Sequence, residues 1–276
     1  MEENNIVKDV AVETTKALAK DVYNDALQPT AQNVGGALGT FSGFFNHVVL
    51  YPLKKLNIEY EKKAMAFERT MESKYNLLPE DNRVEPQLNI VGPAMESLKY
   101  NIMEDDLADM YSNLLISNMD SKTQGLCSPM FIKIIEQLSP KDAIVFRSIY
   151  LQCKLTQAIP VCEIKIVEQE NEKKYVLIDE FPRYVTDTKQ FGINENDISK
   201  SLQVLSQLGL IELNFMRSFT DKTIYEQLSN QSFIIDACAT ADRISKTPHK
   251  VLIDDEGVII INDLGFDFAK VCMRKV

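Results

Sequence analysis

Side chains able to hold a metal, move a proton or attack a carbonyl are few in this chain and lie far apart in it. Histidine occurs twice, as His47 inside an apolar run and as His249 beside Pro248. A nucleophile, base and orienting group built around histidine therefore have almost no material. Glu104, Asp105, Asp106 and Asp109 form the densest acidic group, and grouped carboxylates can hold divalent cations for nuclease chemistry. At the start of a helix the same acids instead offset the helix dipole, and their position favours that reading. Asp254-Asp255-Glu256-Gly257 reads as a hairpin turn, and Val258 to Ile261 do not offer the further oxygen ligands of a calcium loop. Gly35-Gly36-Ala37-Leu38-Gly39 lacks the lysine and hydroxyl of a phosphate-binding loop and does not follow G-x-G-x-x-G. Cys127, Cys153, Cys162, Cys238 and Cys272 are odd in number and irregularly spaced, which indicates neither a disulfide framework nor a zinc site and suits a reducing cytoplasm. The expectation is a protein that is not an enzyme, with no catalytic residue, no metal and no cofactor.

What stands out instead is a run from Ala26 to Leu53 without a formal charge, in which Gly35, Gly39 and Gly43 recur every fourth residue. Four residues turn a helix by about 400°, so these glycines would share one face of a helix over about 31–52. Leu38, Phe41, Phe45 and Val48 would line the opposite side. Such a helix suits close helix pairing, a glycine zipper, and its bulky side could meet lipid. The run also contains Gln32, Asn33, Thr40, Ser42, Asn46 and His47, so it is not a clean membrane-spanning signal. Two readings stay open: a closely packed core helix, or an element that engages a membrane when released. Pro52 should end or bend the helix near Tyr51.

At 276 residues, 45% hydrophobic and 25% charged, the chain has a globular composition and room for two domains. Its net charge of −10 argues against general nucleic-acid binding, which rests on Lys and Arg contacts to phosphate. Met1 to Lys20 mixes charges with short apolar steps and lacks the apolar core of a secretory signal.

The expected fold is mainly α with a smaller α+β part: an all-α domain over 1–138 and a winged-helix-like domain over 139–276. In the first, Asn5 to Leu27 spaces Ile6, Val10, Ala17, Leu18 and Val22 as an amphipathic helix. The glycine-rich helix follows, then helices over Asn57 to Tyr75, from Gly92-Pro93 onward, over Asp105 to Met119 and over Pro129 to Leu138. In the second, Ser139 caps a helix through Leu151, and Val161 to Val167 pairs with Tyr175 to Ile178 around a polar turn. Asn194 caps a helix from Glu195 to Leu208, Gly209 stops it, and Leu210 to Asn214 is a strand. Lys250 to Ile253 and Val258 to Asn262 form a hairpin, and a last helix starts at Asp263. Lys200 is the only basic side chain on the helix that would enter a DNA groove, whereas Glu195 and Asp197 would face phosphate. Protein contact is the better use of such a module.

Three blocks carry a resemblance to a known family. Val84-Glu85-Pro86-Gln87-Leu88-Asn89-Ile90-Val91-Gly92-Pro93-Ala94-Met95-Glu96-Ser97-Leu98 resembles the hallmark of the abortive-infection alpha family of bacteria. Asp109 to Asp120, ending in Ser117, Met119 and Asp120, resembles its following helix. Pro129 to Pro140, ending in Gln137, Leu138, Ser139 and Pro140, resembles the segment after that. The resemblance is dense over Asn57 to Asp142. It implies phage defence by abortive infection and transfers no catalytic residue. The expected partners are further copies of the chain, a membrane lipid surface, and a phage or host protein as trigger. The expected location is the cytoplasm, with attachment to the inner membrane on activation.

Overall fold

The computed structural model describes residues 36–54, 58–176, 178 and 181–274. The helix expected over Asn5 to Leu27 and the glycine at Gly35 lie outside these. The described residues up to Gln137, joined by Val271 to Arg274, form one compact unit, and Leu138 to Lys270 form a second. The architecture is mainly helical with a smaller α+β part, as the sequence predicts.

The first unit begins with α1, Gly36–Phe44, continued by a π-helical turn, Phe45–Leu50, and by α2, Tyr51–Lys54. Pro52 has no N–H to give and its ring crowds the carbonyl four residues back. The helix does not end at Tyr51; it widens ahead of the proline, with the Tyr51 N–H donating to Asn46 O, five residues earlier, and runs on to Lys54. Phe41 stacks on Phe45 at 5.5 Å and Phe45 on Phe67 at 5.8 Å, which fixes this helix against α3, Ile58–Asn76. Next comes α4, Leu88–Asn101, which starts four residues before the expected Gly92-Pro93, so Pro93 lies inside it. The buried faces of Ile90 and Val91 draw the first turn in. Helices α5, Asp105–Asn118, and α6, Pro129–Gln137, complete the unit.

The second unit opens with α7, Pro140–Thr156, held at its start by a reciprocal Ser139 and Asp142 capping box. Strands β1, Ile159–Glu168, β2, Asn171–Tyr175, and β3, Tyr184–Val185, lead to α8, Glu195–Gln207, and β4, Ile211–Asn214. Asn194 caps α8, and Gly209 ends it at φ +71°. Two helices that the sequence reading leaves unassigned, α9, Thr223–Ser229, and α10, Ser232–Ser245, precede β5, His249–Ile261, and α11, Asp263–Cys272. The sheet is antiparallel in the order β2, β1, β5, β4, with β3 also on β1.

The expected hairpin at Asp254 to Gly257 is instead the middle of one continuous strand. Glu163 pairs with Asp255 and Ile164 with Ile253, so Asp254 is the extra residue of a β-bulge. Gly257 is not a turn residue either: a Cβ there would lie 2.7 Å from Phe215 Cδ1 and 3.0 Å from Asn214 O. The acidic run stays extended because basic side chains reach it, Lys165 at Asp254 and Lys222 at Glu256.

Close approach is tighter still at Gly265, where a Cβ would sit 2.0 Å from Leu210 O. Gly265→Ala is therefore expected to force the start of α11 away from Leu210 and to cost about 3 kcal/mol, the upper part of the range for overpacking. Urea unfolding of wild type and variant measures it.

Candidate functional site

Helix α5 is buried on nearly every side, and its polar residues Ser112, Asn113, Ser117 and Asn118 have no exposed surface. A buried polar group left without a partner costs about 1–3 kcal/mol, so each needs a hydrogen bond from inside the unit. Lys74 of α3 supplies the first set. Its ammonium donates to Asp109 Oδ1, Ser112 Oγ and Asn113 Oδ1, each at 2.6 Å. Three acceptors match the three protons of the lysine, with one negative charge among them.

The chain's last described residues supply the second set. Asn113 Nδ2 donates to Cys272 O at 3.1 Å, and Ser117 Oγ donates to Val271 O at 3.0 Å. Arg274 then reaches Asp120 at 2.7 Å, and Asp120 is only 1% exposed. The other Asp120 oxygen accepts from Lys122 N at 3.0 Å.

A third set joins the motif residues. Asn118 Oδ1 accepts from Gln87 N at 2.7 Å, and Val84 N donates to Met119 O at 3.0 Å. Gln124 Nε2 bridges Glu85 O and Asn118 O, each at 2.8 Å. Glu85 and Pro86 are thus brought beside Ser117, Met119 and Asp120, although some thirty residues of chain separate them. Gly92 and Pro93 sit within α4, where a Cβ on Gly92 would meet nothing within 4 Å. Gln137, Leu138, Ser139 and Pro140 form the α6 to α7 junction, with Ser139 as the cap of α7.

The residues singled out in the uncharged run lie on α1 and its π turn. Gly39, Gly43, Phe41 and Phe45 are buried, Leu38 and Val48 half-buried, and Asn46, His47 and Tyr51 exposed. Among the described residues no helix is long and apolar enough to cross a membrane.

Asp105 and Asp106 occupy the first turn of α5, where Lys63 meets Asp105 at 2.6 Å and Lys74 holds Asp109. The bulge in β5 brings Asp254 and Asp255 to Glu163, with carboxylate oxygens within 4.8 Å of one another. Sequence spacing gives no hint of this trio, since the bulge register creates it. Lys165 at 2.5 Å from Asp254 and Arg183 at 3.2 Å from Glu163 offset two of the three charges. His249 lies between Asp242, at 3.0 Å from Nδ1, and Ser245, at 3.3 Å from Nε2. The Ser245 hydroxyl donates to Ala241 O at 2.7 Å, so these three close the end of α10 onto β5 and leave no serine proton directed at the imidazole. Burial pushes the thiols of Cys127 and Cys153 up to about 11 and that of Cys162 up to about 12. Thiolate is the nucleophilic form, so these cysteines are poor nucleophiles at neutral pH. Burial likewise pushes the Tyr111 hydroxyl, 2.6 Å from Ser97, up to about 12.

Residues 59–272 match a protein family described as abortive infection alpha. A solved structure from the hydrocarbon-degrading marine bacterium Alcanivorax borkumensis SK2, itself described as an uncharacterized protein, is similar at 15% identity. The likeness covers 52% of this chain and 93% of that one, with a TM-score of 0.31. Comparison with curated proteins found no match.

The polar seam along α5 makes a direct prediction. Asp120→Ala removes one partner of a buried ion pair, which should cost about 3 kcal/mol and free Val271 to Arg274 from α5. Thermal unfolding monitors the first effect and proteolysis of the C-terminal residues the second.

Proposed function

Since the chain belongs to the abortive-infection alpha family, we propose that it is a bacterial antiphage defence protein acting without catalysis. Its N-terminal helices associate and engage a membrane surface or a protein partner once infection is sensed. The 139–276 part serves as sensor or assembly module.

The observation that carries this reading is the build of the helix from Gly36 to Lys54. It has no formal charge before Lys54, it contains a π turn, and it meets α3 through the Phe45–Phe67 ring stack and the Lys54–Glu61 ion pair at its last residue. A π turn is rare inside an α-helix and is frequently found at functional sites. Elements held by few polar anchors open at lower free energy than a fully bonded core. A helix without charge before Lys54 that can leave its seat exposes two aromatic rings and two glycines, which suits pairing with another helix or entry into a bilayer interface. The work is then cytoplasmic, at the inner face of the inner membrane, and the active form is a homo-oligomer.

A second reading has its own support. With β1 to β3 inserted after α7 and one continuous strand, β5, in place of the expected hairpin, α7, α8 and β4 keep part of the winged-helix order, and α8 exposes only Lys200 and Gln207 along its length. A helix so little exposed, in a chain of net charge −10, suits an adaptor that binds protein rather than a reader of DNA.

Gly39→Leu with Gly43→Leu should block close helix approach and abolish protection in a phage plating assay. Circular dichroism checks that the variant folds, and liposome dye release by the purified protein reports on the membrane arm. Undiminished protection by a folded variant overturns the helix-association reading, and protection lost without any dye release moves the target from lipid to protein.

A further inference from the structure

The charges of α3 divide by direction. Toward α2 and α5 they are paired: Glu61 with Lys54 at 3.3 Å, and Lys63 with Asp105 and Lys74 with Asp109 at 2.6 Å. On the outward side, Lys62, Glu68, Arg69 and Glu72 make no ion pair among the described residues. These outward residues belong to an ordered stripe. Ile58, Lys62, Met65, Arg69, Glu72 and Asn76 are all exposed, follow one another at alternating steps of four and three, and fall within about 80° around the helix. That is the seam spacing of a coiled coil. Ile58 is 71% exposed and Met65 38%, large apolar side chains left to water. Beside the seam, a groove of about 370 Å³ lies between Met65, Glu68, Arg69 and Glu72 on α3 and Leu38 and Phe41 on α1. Burial, and then the charge of Glu72, push the half-buried Glu68 carboxyl up, as expected of an acid without its countercharge.

We propose that this seam pairs α3 with α3 of a second copy of the chain, antiparallel about a two-fold axis at the level of Phe67. The seam is its own complement, which is what a symmetric interface requires. Lys62 and Glu72 lie equally far on either side of Phe67, so Lys62 of each copy faces Glu72 of the other and two equivalent ion pairs form. Met65 falls opposite Arg69, whose aliphatic stem covers it, and Ile58 falls opposite Asn76. Glu68 of each copy then lies within about 5 Å, along the axis, of Arg69 of the other, which brings the missing cation to the groove. Parallel pairing in register would instead set Lys62 against Lys62 and Glu72 against Glu72. Charge therefore selects both the occupant and its direction.

Sedimentation velocity of the full chain up to about 100 µM, where a pair of micromolar affinity is mostly formed, tests it. The expected result for wild type is a species of twice the chain mass. Lys62→Glu and Glu72→Lys should each weaken association by about tenfold or more, since each sets like charges face to face, and the double variant Lys62→Glu with Glu72→Lys should restore the pair. Both positions are exposed, and circular dichroism checks that each variant is folded. A wild type that stays monomeric overturns the proposal, as does pairing that persists in either folded single variant or fails to return in the double one. The proposal rests on the reading of the chain as a homo-oligomer. Pairing that survives both single swaps leaves that reading standing and removes only this face.

Discussion

A helix buried on nearly every side while carrying buried polar side chains cannot satisfy them from water, and that constraint organises the first unit around α5. Lys74 must stand where it can neutralise Asp109 and bond Ser112 and Asn113 at once. The backbone at Val271 and Cys272 must present its carbonyls to Ser117 and Asn113. Gln87 must offer its N–H to Asn118. Three stretches of chain remote in sequence are drawn to one helix because each holds something α5 lacks. Buried networks of this kind are strong when complete and costly when broken, and here Asn118 Nδ2 is the one buried side-chain atom without a partner among the described residues.

The helix from Gly36 to Lys54 is built on the opposite principle. It rests mainly on ring stacking and apolar burial, with the Lys54–Glu61 ion pair at its end, and its regular bonding is interrupted by the π turn before Pro52. A densely hydrogen-bonded core beside a helix without charge before Lys54 is a physical basis for a protein that stays folded while releasing one element. In an abortive-infection protein the released element would be the effector and the α5 seam the part that keeps the rest intact.

Much of this was legible from residue order, for reasons particular residues make plain. Ser139-Pro140 with Asp142, and Asn194 before Glu195, are local signals, and the caps form where they predict. Gly209 ends α8 for an equally local reason. The hairpin expected at Asp254 to Gly257 failed because β5 answers to its neighbours: pairing with β1 and β4 keeps it extended, and Gly257 serves close approach to Asn214 and Phe215. The start of α4 was misplaced because Gly92-Pro93 is a strong local mark, whereas burial of Ile90 and Val91 is a tertiary fact. The motif blocks were visible, but their meeting was not. Nothing in the spacing of Glu85, Ser117 and Arg274 says that they converge on α5, since hydrogen bonds across such separations are decided by the packed fold.

Native-state hydrogen exchange on the full chain tests the central claim most directly. The account predicts that amides of α5 exchange only through opening of the whole first unit, while those of Phe45 to Leu50 exchange through a separate opening of markedly lower free energy. Equal protection of the two helices, with the same denaturant dependence, would contradict it.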